Sequence, residues 1–312
     1  MESTEIFSFS KARNISEILN ATFAFIRQEF VPLGKSVLLI LGPFILVLAL
    51  VNYYFFDGFL SFAQTQEFSP GFIILYFLIL IVGFVLFTIV VSLINSYVLM
   101  YIEEDESRFS SAGVFNKSIK NFWKVAKVNL LLFVLAMLAY IILIIAGVLI
   151  GILASVTSST AVFLPFVIIM LFMIPFAYYF IALSFIYIVT LHENLSFMAA
   201  MKRSIKLIRE YWWFTFGLYF LTAIIIMVLQ IIFLIPNWIV SYTLFFNQMD
   251  GQLAGEVNPF MGFMMAFSTL SYFLHSIYFV TIAIHYFSQR EKKEATGLAQ
   301  KIDDLEIDPV TE

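Results

Sequence analysis

The sequence carries three histidines, His192, His275 and His285, and no cysteine among its 312 residues. Three imidazoles could hold one zinc ion. Their placement argues against it. His192 closes one apolar run, His275 lies deep in another, and His275 and His285 are ten residues apart and do not share a helical face. The simpler expectation is three imidazoles, each bonded to a neighbour. Ser276 beside His275 is no dyad, because neighbours on a helix point apart. The lack of cysteine excludes disulfides, thiol catalysis and Cys-based metal sites. Intramembrane hydrolases and proton-coupled carriers need ionisable groups as acid, base, ligand or relay. No Asp, Glu, Lys or Arg interrupts the centre of an apolar run here. Polar residues in those runs are neutral, and Asn95 and Gln230 are expected to bond across helices. Glu103 to Glu106 reads as a solvated acidic run, since no spaced calcium loop follows. No phosphate loop and no nucleic-acid motif is present. The sequence therefore predicts no catalytic residue, no cofactor-binding residue, no metal ligand and no nucleic-acid partner.

What remains is charge next to aromatic residues. Lys202, Lys206 and Arg209 recur at helical spacing with Arg203 beside them, and Phe197, Met201, Ile205, Ile208 and Trp212 form a separate stripe. Lys117, Lys120, Lys124 and Lys127 form a second basic row beside Phe115, Ile119, Phe122 and Ala126. Basic amphipathic helices of this kind lie in a membrane interface with the apolar stripe down. These eight basic residues are the expected contacts for anionic lipid headgroups or a protein partner. Trp123, Trp212 and Trp213 are the expected interface anchors.

The elements that position them follow from composition. The chain is 62% hydrophobic and 12% charged, against roughly 25% charged in soluble domains. Six apolar runs are long enough to cross a bilayer: Ser36–Phe56, Phe72–Ile102, Val128–Leu153, Ala161–Leu191, Phe214–Leu234 and Phe260–Phe287. Asn14 and Glu17 form a capping-box pattern opening a first amphipathic helix, with Ile15, Ile18, Leu19, Phe23, Ile26 and Phe30 on one side. Pro32 and Gly34 are expected to break it. Pro43, Pro165 and Pro175 fall inside spans, and Pro236 is expected to end or bend the fifth. Asp57–Gly71, Ser155–Thr160 and Asn247–Pro259 are read as connections.

All 17 Lys and Arg residues fall in four segments, and these three connections contain none. By the positive-inside rule, both termini and the three basic helices are cytoplasmic and the number of spans is even. The expected fold is thus an all-α integral membrane protein. Six transmembrane helices form three hairpins, each preceded by a cytoplasmic amphipathic helix. Residues 1–291 would form one polytopic membrane domain and 292–312 a polar cytoplasmic tail. Met1 to Phe9 lacks the pattern of a cleaved signal peptide.

The triplets Ser118-Ile119-Lys120 and Ser204-Ile205-Lys206 are identical, each followed by aromatics, and Thr22-Phe23-Ala24 is a degenerate third copy. This predicts parallel repeat units over approximately 10–102, 110–191 and 193–288.

The run from Glu193 through Ala200-Met-Lys-Arg-Ser204, Leu207 and Tyr211-Trp-Trp213 to Gly217 resembles the membrane domain attached to some bacterial glycerophosphoryl diester phosphodiesterases. Phe23 to Gln28 and Glu291 to Ala295 resemble stand-alone six-span relatives. The resemblance implies a helical domain in the bacterial cytoplasmic membrane. It does not extend to the phosphodiesterase barrel with its acidic metal ligands, and the carotene oxygenase activity sometimes attached to relatives needs four His on iron. The expected function is that of a non-enzymatic accessory or scaffold protein engaging anionic lipid or a partner at the inner leaflet. The alternative is a transporter or lipid-moving channel built from three hairpins, with the span prolines forming its site.

Overall fold

A computed structural model describes residues 8–65, 67, 69–103, 110–157, 164–249, 264, 267–268 and 270–294. The chain is built from helices, with no strand among the described residues. Five stretches are long and apolar enough to cross a membrane: Phe30–Phe55, Pro70–Glu103, Ser111–Leu149, Ile174–His192 and Phe197–Thr243. Much of the expected sixth span, the connections Ser155–Thr160 and Asn247–Pro259, and most of the acidic run and tail lie outside the described residues.

The first helix, α1 (Ile15–Gln28), opens with the expected capping box. The Asn14 side chain accepts from the Glu17 amide, and Glu17 accepts from the Asn14 amide. Its buried face is Ile18, Thr22 and Phe25, whereas Phe23 and Phe30 are exposed. The stripe is thus turned from its expected position. Glu29 separates α1 from α2 (Phe30–Thr65), so the break falls before Pro32 rather than at it. Pro32 has no amide to donate to Gln28, so the ladder is cut there, and a proline is tolerated in the first turn of the next helix.

Helix α2 runs on to Thr65, so residues 57–65 are helical and not connection. Pro43 lies inside it. Helix α3 (Pro70–Glu103) is buried almost continuously from Thr88 to Tyr101.

Helix α4 (Ser111–Thr157) is a single rod of 47 residues, about 70 Å long. The second amphipathic stretch is therefore not a separate in-plane helix but the polar end of a spanning one. Nothing between Lys117 and Leu130 breaks a helix, because this stretch holds no Gly or Pro.

The expected fourth span is divided into α5 (Leu164–Ala182) and α6 (Ile186–His192) by a turn at 183–185. Helix α7 (Phe197–Ile208) is joined through a 3-10 turn, Arg209–Tyr211, to α8 (Trp212–Met249). Pro236 does not end the fifth span, since α8 continues thirteen residues past it. After a 3-10 turn at Leu270–Leu274 comes α9 (His275–Glu294), which is buried from Phe279 to Gln289.

One contact pattern organises the bundle. Helix α4 packs on α3, α7 packs on α6, and α1 packs on α9. Each amphipathic segment lies against the end of a helix that precedes it, and α1 closes the set onto the last.

Candidate functional site

The basic clusters meet at one end of the bundle through specific contacts. The Arg13 amide donates to Ser288 Oγ at 2.9 Å, which ties the start of the chain to α9. Gln28 Nε2 donates to Tyr101 Oη at 3.0 Å, and Tyr97 donates to the buried Glu29 carboxylate, which ties α1 to α3. Lys124 Nζ donates to Asn194 Oδ1 at 2.7 Å, which ties α4 to the approach of α7. Lys293 Nζ donates to the Lys206 carbonyl at 2.8 Å and lies 3.3 Å from Glu210.

The eight candidate contact residues separate into three groups. Lys120, Lys124, Lys127, Lys202, Lys206 and Arg209 are exposed. Lys117 is half-buried and pairs with Glu103. Arg203 is inside a network. Its Nε donates to both Glu193 oxygens at 3.0 Å, and its Nη2 lies 2.6 Å from Glu294. Tyr286 Oη donates to Glu193 at 2.8 Å and sits 3.1 Å from His192 Nδ1, while Arg290 reaches Glu294 at 3.3 Å. Arg203 therefore clamps α7 to α9, and its charge is matched by carboxylates rather than presented outward.

Burial alone would raise the Glu294 carboxyl. Hydrogen bonds and charge from Arg203 and Arg290 outweigh it and hold the group below its ordinary value. A carboxylate depressed in the folded state stabilises fully above its unfolded value near 4.5 and loses that contribution as pH falls through the folded one. Thermal unfolding in detergent should show this loss below about pH 4.5, and Glu294→Gln should flatten that part of the profile.

The exposed lysines of α4 sit in a helix with three faces. Val114, Ser118, Val125 and Val128 are buried against the bundle. Phe115, Ile119 and Trp123 form an exposed apolar stripe, with Trp123 76% exposed. Lys120, Lys124 and Lys127 occupy the remaining sector. Trp213 is as exposed as Trp123, at 77%. Trp212 is half-buried, stacks on Tyr178 and donates to the Tyr178 carbonyl at 3.2 Å, so it joins α8 to α5.

Helix α7 buries Ala200, Ser204, Leu207 and Ile208. Of the expected stripe only Ile208 is fully buried, while Phe197, Met201 and Trp212 pack on the core's margin. Ser204 does work that the sequence did not reveal. Its Oγ donates to the Ala182 carbonyl at 2.7 Å and accepts from the Phe185 amide at 3.2 Å. These two groups are freed by the turn between α5 and α6, so a side chain from α7 fills the gap in the ladder. The identity of the Ser118 and Ser204 triplets was the available signal.

The histidines lie in separate settings. His192 meets Tyr286, and His285, fully buried, meets Thr215 Oγ1 at 2.9 Å between the rings of Phe185 and Phe214. No group of three His, Asp or Glu side chains suited to a metal ion occurs among the described residues. Neutral polar residues of the spans bond as follows: Asn129 donates to Thr88 and accepts from Tyr187, Asn121 donates to Ser96, and Ser92 donates to the Ser118 carbonyl. Asn95 bonds back to Val91 of its own helix instead of across. Compared with protein-family models, curated proteins and solved structures, the chain matches none.

Proposed function

We propose that the chain is a non-enzymatic, multi-pass protein of the bacterial cytoplasmic membrane. Its basic end lies at the inner leaflet, where it engages anionic lipid headgroups or organises a partner. The observation that carries this reading is the convergence of the basic clusters at one end, with exposed Lys120, Lys124 and Lys127 beside an exposed Phe115, Ile119 and Trp123 stripe. Apolar residues wet on one side and lysines on the next are the surface of a helix at a headgroup layer. The resemblance to the phosphodiesterase-linked membrane domain agrees with a helical membrane role and contributes no catalysis.

Six crossings with both ends cytoplasmic fit the same contacts. Helix α8 has 38 residues and rises about 57 Å, so Met249 lies far from Trp212. Helix α9 nonetheless ends with Glu294 on Arg203, beside the start of α8. A sixth crossing that brings the chain back to this end agrees with both contacts.

Each basic residue near an anionic surface contributes about 1 kcal/mol. A variant with Lys120, Lys124, Lys127, Lys202, Lys206 and Arg209 all changed to Gln should still insert, because insertion rests on apolar length. It should lose the anionic phospholipid that co-purifies with the wild type. Lipid analysis of the two proteins checks this. Equal anionic lipid in both would turn the basic end into a protein-docking surface instead.

A further inference from the structure

The three amphipathic segments share a register that extends beyond the triplets. Asn14, Ser110 and Ser196 stand just before the three helices. Four residues on, Ile18, Val114 and Ala200 are each fully buried. Four further on, Thr22, Ser118 and Ser204 are buried hydroxyls. In this register Val31 and Pro32 of the first unit correspond to Lys127 and Val128 of the second.

Both pairs line a cleft, and in each case the opposite wall includes the next unit's leading serine, Ser110 in the first and Ser196 in the second. The first cleft, about 280 Å³, lies between α2, with Lys35, and Ser110 and Ser111. The second, about 470 Å³, lies between Lys124, Lys127 and Val128 of α4 and the segment from Asn194 to Met198. The same junction thus opens a lysine-bearing cleft twice.

We infer that the second cleft is a binding site for the phosphate of an anionic phospholipid. This rests on the reading that the basic end lies at the inner leaflet. Lys124 and Lys127 stand together on one wall. The neighbouring carboxylate, Glu193, is held by Arg203 and Tyr286 and so does not oppose an anion there. Asn194 holds a left-handed φ of 52° and accepts from Lys124, which fixes that ammonium at the cleft. Thr190 and Ser196 add two hydroxyls to the lining, and Val128, Leu195, Phe197 and Met198 make up its apolar part, with Met198 54% exposed. Directly beyond Lys127 the surface of α4 becomes apolar and open at Leu130, Phe133 and Val134. A free phosphate would use the two lysines and the hydroxyls beside them and leave the apolar part of the lining uncovered. A phospholipid would place its phosphate on them and its glycerol and upper chain on the apolar lining. The volume is within the range of small-ligand pockets.

The test compares three variants of the full chain in neutral detergent, using native mass spectrometry with added phosphatidylglycerol or phosphatidylcholine. The wild type should retain phosphatidylglycerol selectively. Lys124→Gln with Lys127→Gln should lower that retention about tenfold, since two charges leave the site. Lys124→Arg with Lys127→Arg should keep it, which separates charge from folding. Lys11→Gln with Arg27→Gln, both exposed and outside the cleft, should leave it within about twofold. Soluble glycerol phosphate is then added. Failure to displace the lipid supports the phospholipid, and displacement supports the same cleft with a soluble phosphate ester as its source. Equal loss in the cleft and non-cleft variants would overturn the cleft while leaving the general basic face standing. Unchanged retention in both would overturn both readings.

Discussion

Ser204→Ala should destabilise the protein by about 3 kcal/mol, although it removes a single oxygen atom. That atom donates to the Ala182 carbonyl and accepts from the Phe185 amide, and Ser204 is fully buried. The Ile186 amide, which would serve the Ala182 carbonyl in a continuous helix, bonds to Leu183 instead. Both freed groups would be left in a region closed to water, where each unsatisfied one costs about 1–3 kcal/mol. The internal comparison is Ser118→Ala. Ser118 occupies the same place in the other triplet, but among the described residues its Oγ has no hydrogen-bond partner. Removing it should change stability by less than about 0.5 kcal/mol, or stabilise slightly. Thermal unfolding of the two variants in detergent separates them. Equal effects would show that Ser204 is not the group that fills the turn between α5 and α6.

Arg203→Gln should cost about 2–3 kcal/mol, while the neighbouring Lys202→Gln should fall within about 0.5 kcal/mol of the wild type. Arg203 is 19% exposed, and its partners Glu193 and Glu294 are 18% and 30% exposed. Breaking a fully buried pair costs about 3–5 kcal/mol, and the partial exposure here lowers that figure. Loss of the pair should free the end of α9 from α7, so limited proteolysis should cut near Glu294 sooner in Arg203→Gln than in Lys202→Gln. Identical proteolysis in the two would mean that Arg203 does not clamp these helices.

Helix type and most helix positions were legible because they depend on local apolar length and on caps. The Asn14 and Glu17 box, the span from Phe72 to Ile102 and the amphipathic nature of α7 are all local features. What the sequence hid depends on partners distant along the chain. Arg203 is adjacent to Lys202, yet one residue turns a helical side chain by about 100°, and that turn brings it to Glu193 and Glu294. The sequence placed Arg203 beside the period of Lys202, Lys206 and Arg209 and gave all four the same expected role, and only tertiary contacts divide them. The turn between α5 and α6 was invisible because no Gly or Pro marks Leu183 to Phe185. Its supporting serine lies about twenty residues further on. The continuity of α4 shows the reverse. A change from polar to apolar composition at Lys127 suggested two elements, but composition alone does not interrupt a backbone ladder that contains no breaker.

The neutral polar residues of the spans bear on the transporter alternative. Thr88, Asn129 and Tyr187 bond to one another, and Asn121 bonds to Ser96. Such pairs join helices in a bilayer.

The basic clusters should share one membrane face, and the absence of native cysteine makes that measurable. Single cysteines at Lys120, Lys202 and Glu291, and at Gln66 and Gln252, can be labelled from either side of oriented membranes with an impermeant maleimide. Lys120→Cys, Lys202→Cys and Glu291→Cys should label from the cytoplasmic side alone, and Gln66→Cys and Gln252→Cys from the opposite side alone. Labelling of Gln252→Cys from the same side as Lys202→Cys, or of Glu291→Cys from the opposite side, would contradict it.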